Sequence, residues 1–289
     1  MDKPKKLAKR GPWMEVWHRL KRSRTAIVGL VILIILMLTA LFADFIAPFR
    51  FYTINLQAAF TFPGDSVHIL GTDEFGRDIF SRIVFGTRVS LMIGFVAVSI
   101  SLVVGGLLGA TTGFYGGWVD NSIMRVMDIL LSIPQMLFAI AIVASLGPGL
   151  FNLMIAVGIS NIPIYARIVR AAVISIKGME FVKASRTAGS SDLRIIFKHI
   201  IPNSLAPIIV QSTLGVAGAI LTAAGMSFLG LGIQPPNPEW GAMLSGGRQY
   251  IRDFPYMTII PGIAIAVTIL SLNLLGDGLR DALDPKLKN

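Results

Sequence analysis

Cysteine is absent from this chain of 289 residues, and charged residues are scarce. Without cysteine there is no disulfide, no thiol nucleophile and no thiolate metal site. Asp, Glu, Lys and Arg make up 15% of the residues, whereas soluble domains carry about 25%. Hydrophobic residues reach 54% and the mean hydropathy is +0.70. The composition therefore predicts a protein whose main solvent is lipid.

Sequence motifs that bind nucleotides or metals are missing as well. No G-x-x-x-x-G-K run followed by Ser or Thr is present to hold phosphates, and no H-E-x-x-H or EF-hand pattern occurs. The three histidines, His18, His68 and His199, are far apart in the sequence. We therefore expect no catalytic residue, no metal site and no cofactor in this chain.

Long stretches without charge predict an all-α, polytopic membrane protein. A crossing helix needs about 20 apolar residues, and suitable stretches lie at 25–43, 89–113, 129–166, 204–229 and 254–276. The third is long enough for two crossings, separated by a Gly-Pro-Gly turn at 147–149. The count is six transmembrane helices. Pro134 and Pro163 lie inside expected helices, where we expect them to introduce kinks.

The distribution of Lys and Arg predicts the orientation. Both termini are expected to be cytoplasmic, because that choice leaves only six of the 26 basic residues outside. The net charge of +10 follows from this topology more simply than from nucleic-acid binding. The division is a basic tail with an amphipathic helix at 1–24, a first transmembrane helix at 25–48, an extracytoplasmic segment at 49–87, a core of five helices at 88–276 and a cytoplasmic tail at 277–289.

The expected spans contain almost no ionisable groups. Carriers driven by protons or ions usually keep acids or bases within the membrane, so this scarcity argues against that class, although sodium sites lined by backbone remain possible. Gly105, Gly109 and Gly113 are spaced four apart in the second span, which favours close helix packing over a ligand site. A solute pathway without its own energy source must take energy from a partner.

The longest inner loop, 167–202, predicts a helix, a glycine turn and a second helix. The first helix covers 180–188 and exposes small residues, Gly189 provides a left-handed C-cap, and Ser190 or Ser191 caps the second helix. Leu193, Ile196, Phe197 and Ile200 make an apolar stripe in that second helix. Two interpretations remain open at this stage: a docking site for another protein, or an interfacial helix on lipid.

This loop resembles the coupling loop of binding-protein-dependent ABC importer permeases. Their pattern is an E-A-A triplet, a glycine four residues later and a proline thirteen after that; Lys183, Ala184, Ser185, Gly189 and Pro202 occupy those places. Lys183 and Ser185 depart from the usual residues, and Glu180 could replace the missing acid. The resemblance implies contact with an ATPase through Glu180, Lys183, Ala184, Ser185, Arg186, Gly189, Asp192 and Pro202.

A second motif lies before the second span, in the run GTDEFGRDIFSR at 71–82. Its residues predict a short helix capped by Thr72 or Asp73, with Asp78 and Arg82 paired four residues apart. The run resembles one of the two permease subunits of dipeptide, oligopeptide and nickel importers, as does FLGLG at 228–232 followed by Trp240. The resemblance places these residues on the side of the extracytoplasmic binding protein: Asp73, Gly76, Arg77, Asp78, Arg82 and Trp240.

The resemblance covers about residues 15–285 and implies the type I ABC importer permease fold. It further implies a second homologous permease subunit, two ABC ATPase subunits that bind ATP and Mg, and a peptide-binding protein, all at a bacterial or archaeal cytoplasmic membrane. Import of di- or oligopeptides is the leading interpretation. A nickel or glutathione importer of the same family, an ion-coupled secondary carrier and a membrane scaffold are the alternatives.

Overall fold

The computed structural model describes residues 12–283, and these residues form helices and connecting segments without a β-strand. Five helices are long and apolar enough to cross a membrane: α2, α4, α7, α11 and α13. The α-helices are α1 Pro12–Leu20, α2 Arg24–Leu41, α3 Ala43–Ile46, α4 Ile79–Tyr115, α5 Gly117–Leu131, α6 Gln135–Leu146, α7 Leu150–Lys177, α8 Glu180–Thr187, α9 Asp192–Ile195, α10 Ile201–Asn203, α11 Leu205–Phe228, α12 Trp240–Gly247 and α13 Tyr256–Leu283.

The third of the six expected spans is not one straight helix. Helices α5 and α6 meet at an angle of 90°, and they are long and apolar enough to cross a membrane only when they are taken together. Pro134 lies between them rather than inside a kinked helix, so that expectation is wrong. Proline lacks an N–H group and disfavours helical geometry in the residue before it, which ends α5 before the proline is reached. Pro163, in contrast, lies inside α7.

Helix α4 is longer than the apolar run that predicted it. Its 37 residues begin at Ile79, within the stretch expected to lie wholly outside the core. At 1.5 Å per residue the helix is about 55 Å long, well beyond a hydrocarbon core of about 30 Å. Its first turn contains the last four residues of the second sequence motif, 79–82, so the end of that motif and the second span form one continuous helix.

Three glycines bring α4 into close contact with α7. A Cβ atom on Gly105, Gly109 or Gly113 would lie 2.6, 2.3 or 2.9 Å from a backbone carbonyl oxygen of α7. The facing residues, Ile162, Ala166 and Arg170, rise in the same order, so the two helices run parallel. Close packing of the two backbones is the role that the four-residue spacing predicts.

The remaining contacts show which helices and loops lie at each end of the bundle. Helix α2 runs antiparallel to α13, since Ala26 lies against Gly278 while Gly29 lies against Ser271. The beginning of α4 meets the end of α2, where the Arg88 side chain donates to the carbonyl oxygen of Ala40. The start of α2, the end of α13 and the loop between α7 and α11 consequently share one end of the bundle, and the motif at 71–82 lies at the other.

Candidate functional site

The first candidate site is the elbow, defined as residues 180–203 between α7 and α11. Helix α8 is fastened by Val182, which is buried in an apolar cluster with Ile195 and Ile196. Its other faces are open: Glu180, Lys183, Ala184 and Arg186 are exposed, and Ser185 is half-buried. Gly189, Asp192 and Pro202 are exposed as well. None of the predicted coupling residues is therefore buried within the described residues.

The turn of the elbow is built by Gly189. Its φ of +77° lies in the left-handed region, which glycine adopts without the steric cost that a Cβ brings. The N–H of Gly189 donates to Arg186 and that of Ser190 donates to Ser185, at 3.0 and 3.2 Å. This pair of bonds is the Schellman motif that closes helices with a C-terminal glycine. The structure therefore contains the predicted C-cap.

The second arm of the elbow differs from the expectation in two ways. Ser191 stands at the N-cap of α9, but its side chain makes no capping hydrogen bond. Ile196 and Ile200 are buried, whereas Leu193 and Phe197 remain 65% and 55% exposed, so the predicted single stripe is wrong. A π-helical turn at Ile196–Ile200 is the reason. Its wider i→i+5 spacing brings Ile195, not Leu193, onto the buried face.

The second candidate site is the charged knot, which we define as His68, Asp73, Arg77, Asp78 and Arg82. Asp73 organises the loop: its Oδ1 accepts from the backbone N–H groups of Phe75 and Arg77, and its Oδ2 accepts from Arg77 Nε at 2.6 Å. The turn needs Gly76, whose φ is +69° and whose added Cβ would lie 1.8 Å from the Asn55 carbonyl oxygen.

Asp78, rather than Thr72 or Asp73, caps the helix that follows. Its Oδ2 accepts from the backbone N–H and the hydroxyl of Ser81, both at 2.7 Å, and α4 begins at the next residue. Instead of the expected short helix, Thr72 and Asp78 form an isolated antiparallel bridge around a turn at 74–75. The expected pair of Asp78 with Arg82 is also wrong, because the other oxygen of Asp78 lies 3.0 Å from Nδ1 of His68. Both oxygens of Asp78 are therefore engaged, one by Ser81 and the other by His68.

Arg82 and Trp240 join the knot to the rest of the bundle. Arg82 Nη1 donates to the carbonyl oxygens of Phe51 and Pro236, at 3.1 and 3.3 Å. The Trp240 ring is fully buried, and its Nε1 donates to the carbonyl oxygen of Ile83 at 3.2 Å. The predicted outer residues are all buried: Asp73, Gly76, Arg77, Asp78, Arg82 and Trp240. They contact one another and the helices rather than present a surface.

Three further residues around the knot escaped the sequence analysis. Glu239 caps α12 by accepting from the backbone N–H groups of Gly241 and Ala242, at 2.9 and 2.8 Å. It is 1% exposed, and this burial raises the pKa of its carboxyl above the usual value. The Tyr256 hydroxyl lies 3.0 Å from the carbonyl oxygens of both Thr61 and Thr72. His68 contacts Asp78, and nothing in its local sequence indicated a buried partner.

Two ion pairs at the elbow end of the bundle were also missed. Arg170 of α7 makes a two-pronged contact with Asp120 of α5, with both N···O distances at 2.5 Å. One turn earlier on α7, Arg167 lies 2.5 Å from Asp128. Isolated charges beside apolar helices usually have a partner, and that rule could have paired them. Within residues 12–283 no group of three or more His, Asp or Glu side chains is arranged to hold a metal ion.

Comparisons with known proteins match this chain along nearly its whole length. Residues 104–289 match the family described as binding-protein-dependent transport system inner membrane component, and residues 11–63 match the N-terminal TM domain of oligopeptide transport permease C. The dipeptide transport system permease protein DppC of Alkalihalophilus pseudofirmus is 50% identical, covering 96% of this chain and 91% of the relative. The glutathione transport system permease protein GsiD of Pectobacterium atrosepticum is 43% identical, covering 97% and 93%.

Solved structures share the fold at lower sequence identity. An inward-facing structure of the MetNI methionine ABC transporter aligns with a TM-score of 0.57 and 19% identity, covering 70% of this chain and 96% of that chain. An amino acid ABC transporter aligns with a TM-score of 0.54 and 16% identity, covering 70% and 94%. With its helical bundle, this chain therefore has the ABC importer permease fold and belongs to the family of binding-protein-dependent transport system inner membrane components.

Proposed function

We propose that this chain is one permease subunit of an ATP-driven importer of di- or oligopeptides, and that the elbow receives the movement of the ATPase subunits. The observation that carries the proposal is the accessible small-residue surface of α8, whose one buried side chain is Val182. Ala184 and Ala188 leave their backbone open to a groove on another protein. A folded surface without a use inside its own chain is a natural contact for a partner.

The orientation follows from charge. The elbow shares its end of the bundle with the basic start of α2, where Arg22 and Arg24 are exposed. Positively charged segments stay on the cytoplasmic side, so the elbow faces the compartment that supplies ATP. The charged knot then lies on the extracytoplasmic side, and both termini lie on the cytoplasmic side of a bacterial or archaeal cytoplasmic membrane.

The assembly contains a second homologous permease subunit, two ABC ATPase subunits and an extracytoplasmic peptide-binding protein. ATP and Mg bind to the ATPase subunits, and this chain contributes no catalytic residue. Closure of the ATPases moves the elbow, and α7 and α11, which flank it, carry that movement into the bundle. Peptide as the solute is supported by the relatives named as dipeptide permeases, and the glutathione relative fits the same class because glutathione is a tripeptide.

The decisive experiment compares two tryptophan substitutions in the complex purified with its partners. Ala184→Trp fills the small-residue surface of α8, while Ala141→Trp makes the same change at an exposed position of α6. We expect Ala184→Trp to lower binding-protein-stimulated ATP hydrolysis at least tenfold, and Ala141→Trp to leave it within twofold. Equal activity in the two variants, or failure of ATPase subunits to co-purify with the unmodified chain, would sink the proposal.

A further inference from the structure

Three residues of the charged knot line a cavity that no part of the proposed function uses. The cavity measures about 80 Å³ and is lined by Asp73, Glu74, Arg77 and Arg82 on one side. Pro235, Met243 and Met257 contribute apolar wall on the other. Holding one water requires about 10–15 Å³ in this measure, so the space is several times larger than a water site and admits a small polar group.

Hydrogen-bond donors in the cavity outnumber acceptors. Arg77 and Arg82 are both more than nine-tenths buried at the side chain. Within residues 12–283, Arg77 makes side-chain hydrogen bonds only through Nε, and Arg82 only through Nη1. The remaining N–H groups are both nitrogens at the tip of Arg77, and Nε and Nη2 of Arg82. A guanidinium group carries five such donors and no acceptor.

The two carboxylates in the wall do not meet this demand. Asp73 already accepts three hydrogen bonds, and its Oδ2 lies 3.7 Å from Arg82 Nε. Glu74 Oε1 lies 3.7 Å from Arg77 Nη2, beyond hydrogen-bond distance. The Arg77 guanidinium stacks on the Phe75 ring, with 4.6 Å between its central carbon and the ring centroid. Stacking engages the face of the group and leaves its edge available for a planar, two-pronged partner.

We propose that this cavity binds a carboxylate group, held by the free N–H edges of Arg77 and Arg82. Carboxylate is the group that pairs with guanidinium through two parallel hydrogen bonds, and its three heavy atoms fit the volume. The carboxylate comes from the C-terminus of a transported peptide or from an acidic side chain of the extracytoplasmic binding protein. The choice of these two sources rests on the proposed function, whereas the binding of a carboxylate in the cavity does not.

Glu74 acts in this scheme as an internal competitor. The four charged side chains of the wall sum to zero when Glu74 is ionised, so an incoming carboxylate adds an uncompensated negative charge. Burial raises the pKa of the Glu74 carboxyl, and the negative charge of Asp73 adds to that effect. Neutralising Glu74 is therefore easier than neutralising an exposed acid, and its neutral form removes the negative charge that repels a ligand carboxylate.

The first measurement probes the chemistry directly with N-acetyl-trialanine, which ends in a carboxylate, and with its C-terminal amide. The purified protein is heated with either compound at equal concentration and ionic strength. We expect the acid to raise the unfolding temperature and the amide not to do so. Glu74→Gln, which keeps the size of the side chain, should lower the concentration for half-maximal stabilisation about threefold to tenfold, and Arg77→Lys should raise it about tenfold.

Matched controls lie in the loop before α13, where Arg252 and Asp253 are exposed. Arg252→Lys and Asp253→Asn should leave the acid response within twofold. Equal stabilisation by acid and amide, or an unchanged acid response in Glu74→Gln, would overturn the inference and assign the donors to water. The Glu74→Gln result is sufficient to test the inference, so the test remains valid even if Arg77→Lys does not fold.

The second measurement separates the two sources of the carboxylate in the assembled complex. A change in the ratio of acid to amide peptide transported by Glu74→Gln identifies the peptide. A change in the affinity of the ligand-free binding protein for the complex identifies the partner's acidic side chain. If the complex does not assemble or does not hydrolyse ATP, the proposed function fails while the heating experiment still tests the site.

Discussion

The elbow and the charged knot carry motifs of similar strength in the sequence, yet the charged residues of the elbow are exposed and those of the knot are buried. In the elbow, Glu180, Lys183 and Asp192 are exposed and make no ion pair within the described residues. In the knot, Asp73, Arg77, Asp78 and Arg82 are buried and hydrogen-bonded to one another or to the backbone. A motif can therefore mark either a surface kept open for a partner or a fixed internal scaffold.

The physical difference lies in what each segment must satisfy. A segment of irregular chain that packs against helices buries N–H and C=O groups, which need hydrogen-bond partners. Asp73, Asp78 and Arg82 provide those partners, so their identities are tied to the shape of the loop. The elbow is helical and satisfies its own backbone, so its exposed side chains are free to be selected for a contact.

Removing the central acid of the knot should have the largest effect. Asp73→Ala leaves Arg77 buried beside Arg82 without its hydrogen-bonded carboxylate, and it removes the oxygen that accepts from two backbone N–H groups. Breaking one side of a buried pair costs about 3–5 kcal/mol. We expect a strongly lowered unfolding temperature, measured by size-exclusion after heating. Asp253→Ala, at an exposed acid, is the control, and an equal loss in both would contradict the knot's structural role.

Two glycine substitutions compare the sites directly. Gly76 and Gly189 both have positive φ, at +69° and +77°, but a Cβ would meet the Asn55 carbonyl at Gly76 and nothing within 4 Å at Gly189. Gly189→Ala should lower the free energy of unfolding only by the strain of the left-handed conformation, about 1–2 kcal/mol. Gly76→Ala adds a steric clash and should cost about 2–5 kcal/mol.

The measurement for this pair is the unfolding temperature of each variant in the same detergent. Gly189→Asn is a useful third variant, because asparagine tolerates the left-handed region better than alanine. If Gly189→Ala proved the more damaging of the two, the elbow would be packed more tightly than its open surface indicates.

The buried cap of α12 should make stability depend on pH. Glu239 has a pKa raised by burial, so its charged form is disfavoured in the folded protein. The contribution of neutral Glu239 to the free energy of unfolding is complete below the pKa of the unfolded chain, near 4.5. It is lost as the pH rises through the higher pKa of Glu239 in the folded protein. We expect the unfolding temperature to fall as the pH rises above about 4.5.

Glu239→Gln removes the titrating group and should flatten that pH profile. It also loses one of the two accepting oxygens of the cap, at a cost of about 1 kcal/mol. A profile that keeps its slope in Glu239→Gln would assign the dependence to another group.

The smallest effect on stability is expected at the elbow. Glu180→Lys changes an exposed side chain and should alter the free energy of unfolding by less than about 0.5 kcal/mol. If Glu180 replaces the acid that Lys183 displaces from the family's triplet, the same substitution should still uncouple ATP hydrolysis from transport. Asp281→Lys, at an exposed acid on the same end of the bundle, is the control. Unchanged coupling in Glu180→Lys would remove Glu180 from the proposed contact.

Several features of the bundle could be read from the sequence because they depend on neighbours along the chain. The uncharged runs predict the apolar helices, and the four-residue glycine spacing predicts the contact between α4 and α7. The C-cap at Gly189 is equally local, since a glycine placed after a short helix is enough to indicate it. Side chains and backbone within one or two turns decide all of these.

The sequence by itself thus determined the membrane class, the helical spans, the glycine contact and the turn of the elbow. Tertiary structure decided which motif is buried, because that depends on partners distant in the chain, such as Pro236 beside Arg82 and Ile83 beside Trp240. It also decided the break at Pro134 and the split of the apolar stripe at the π turn. Hydropathy shows how much apolar surface a segment has, but it does not show which residues that surface will contact. The packing of the helices determines those contacts.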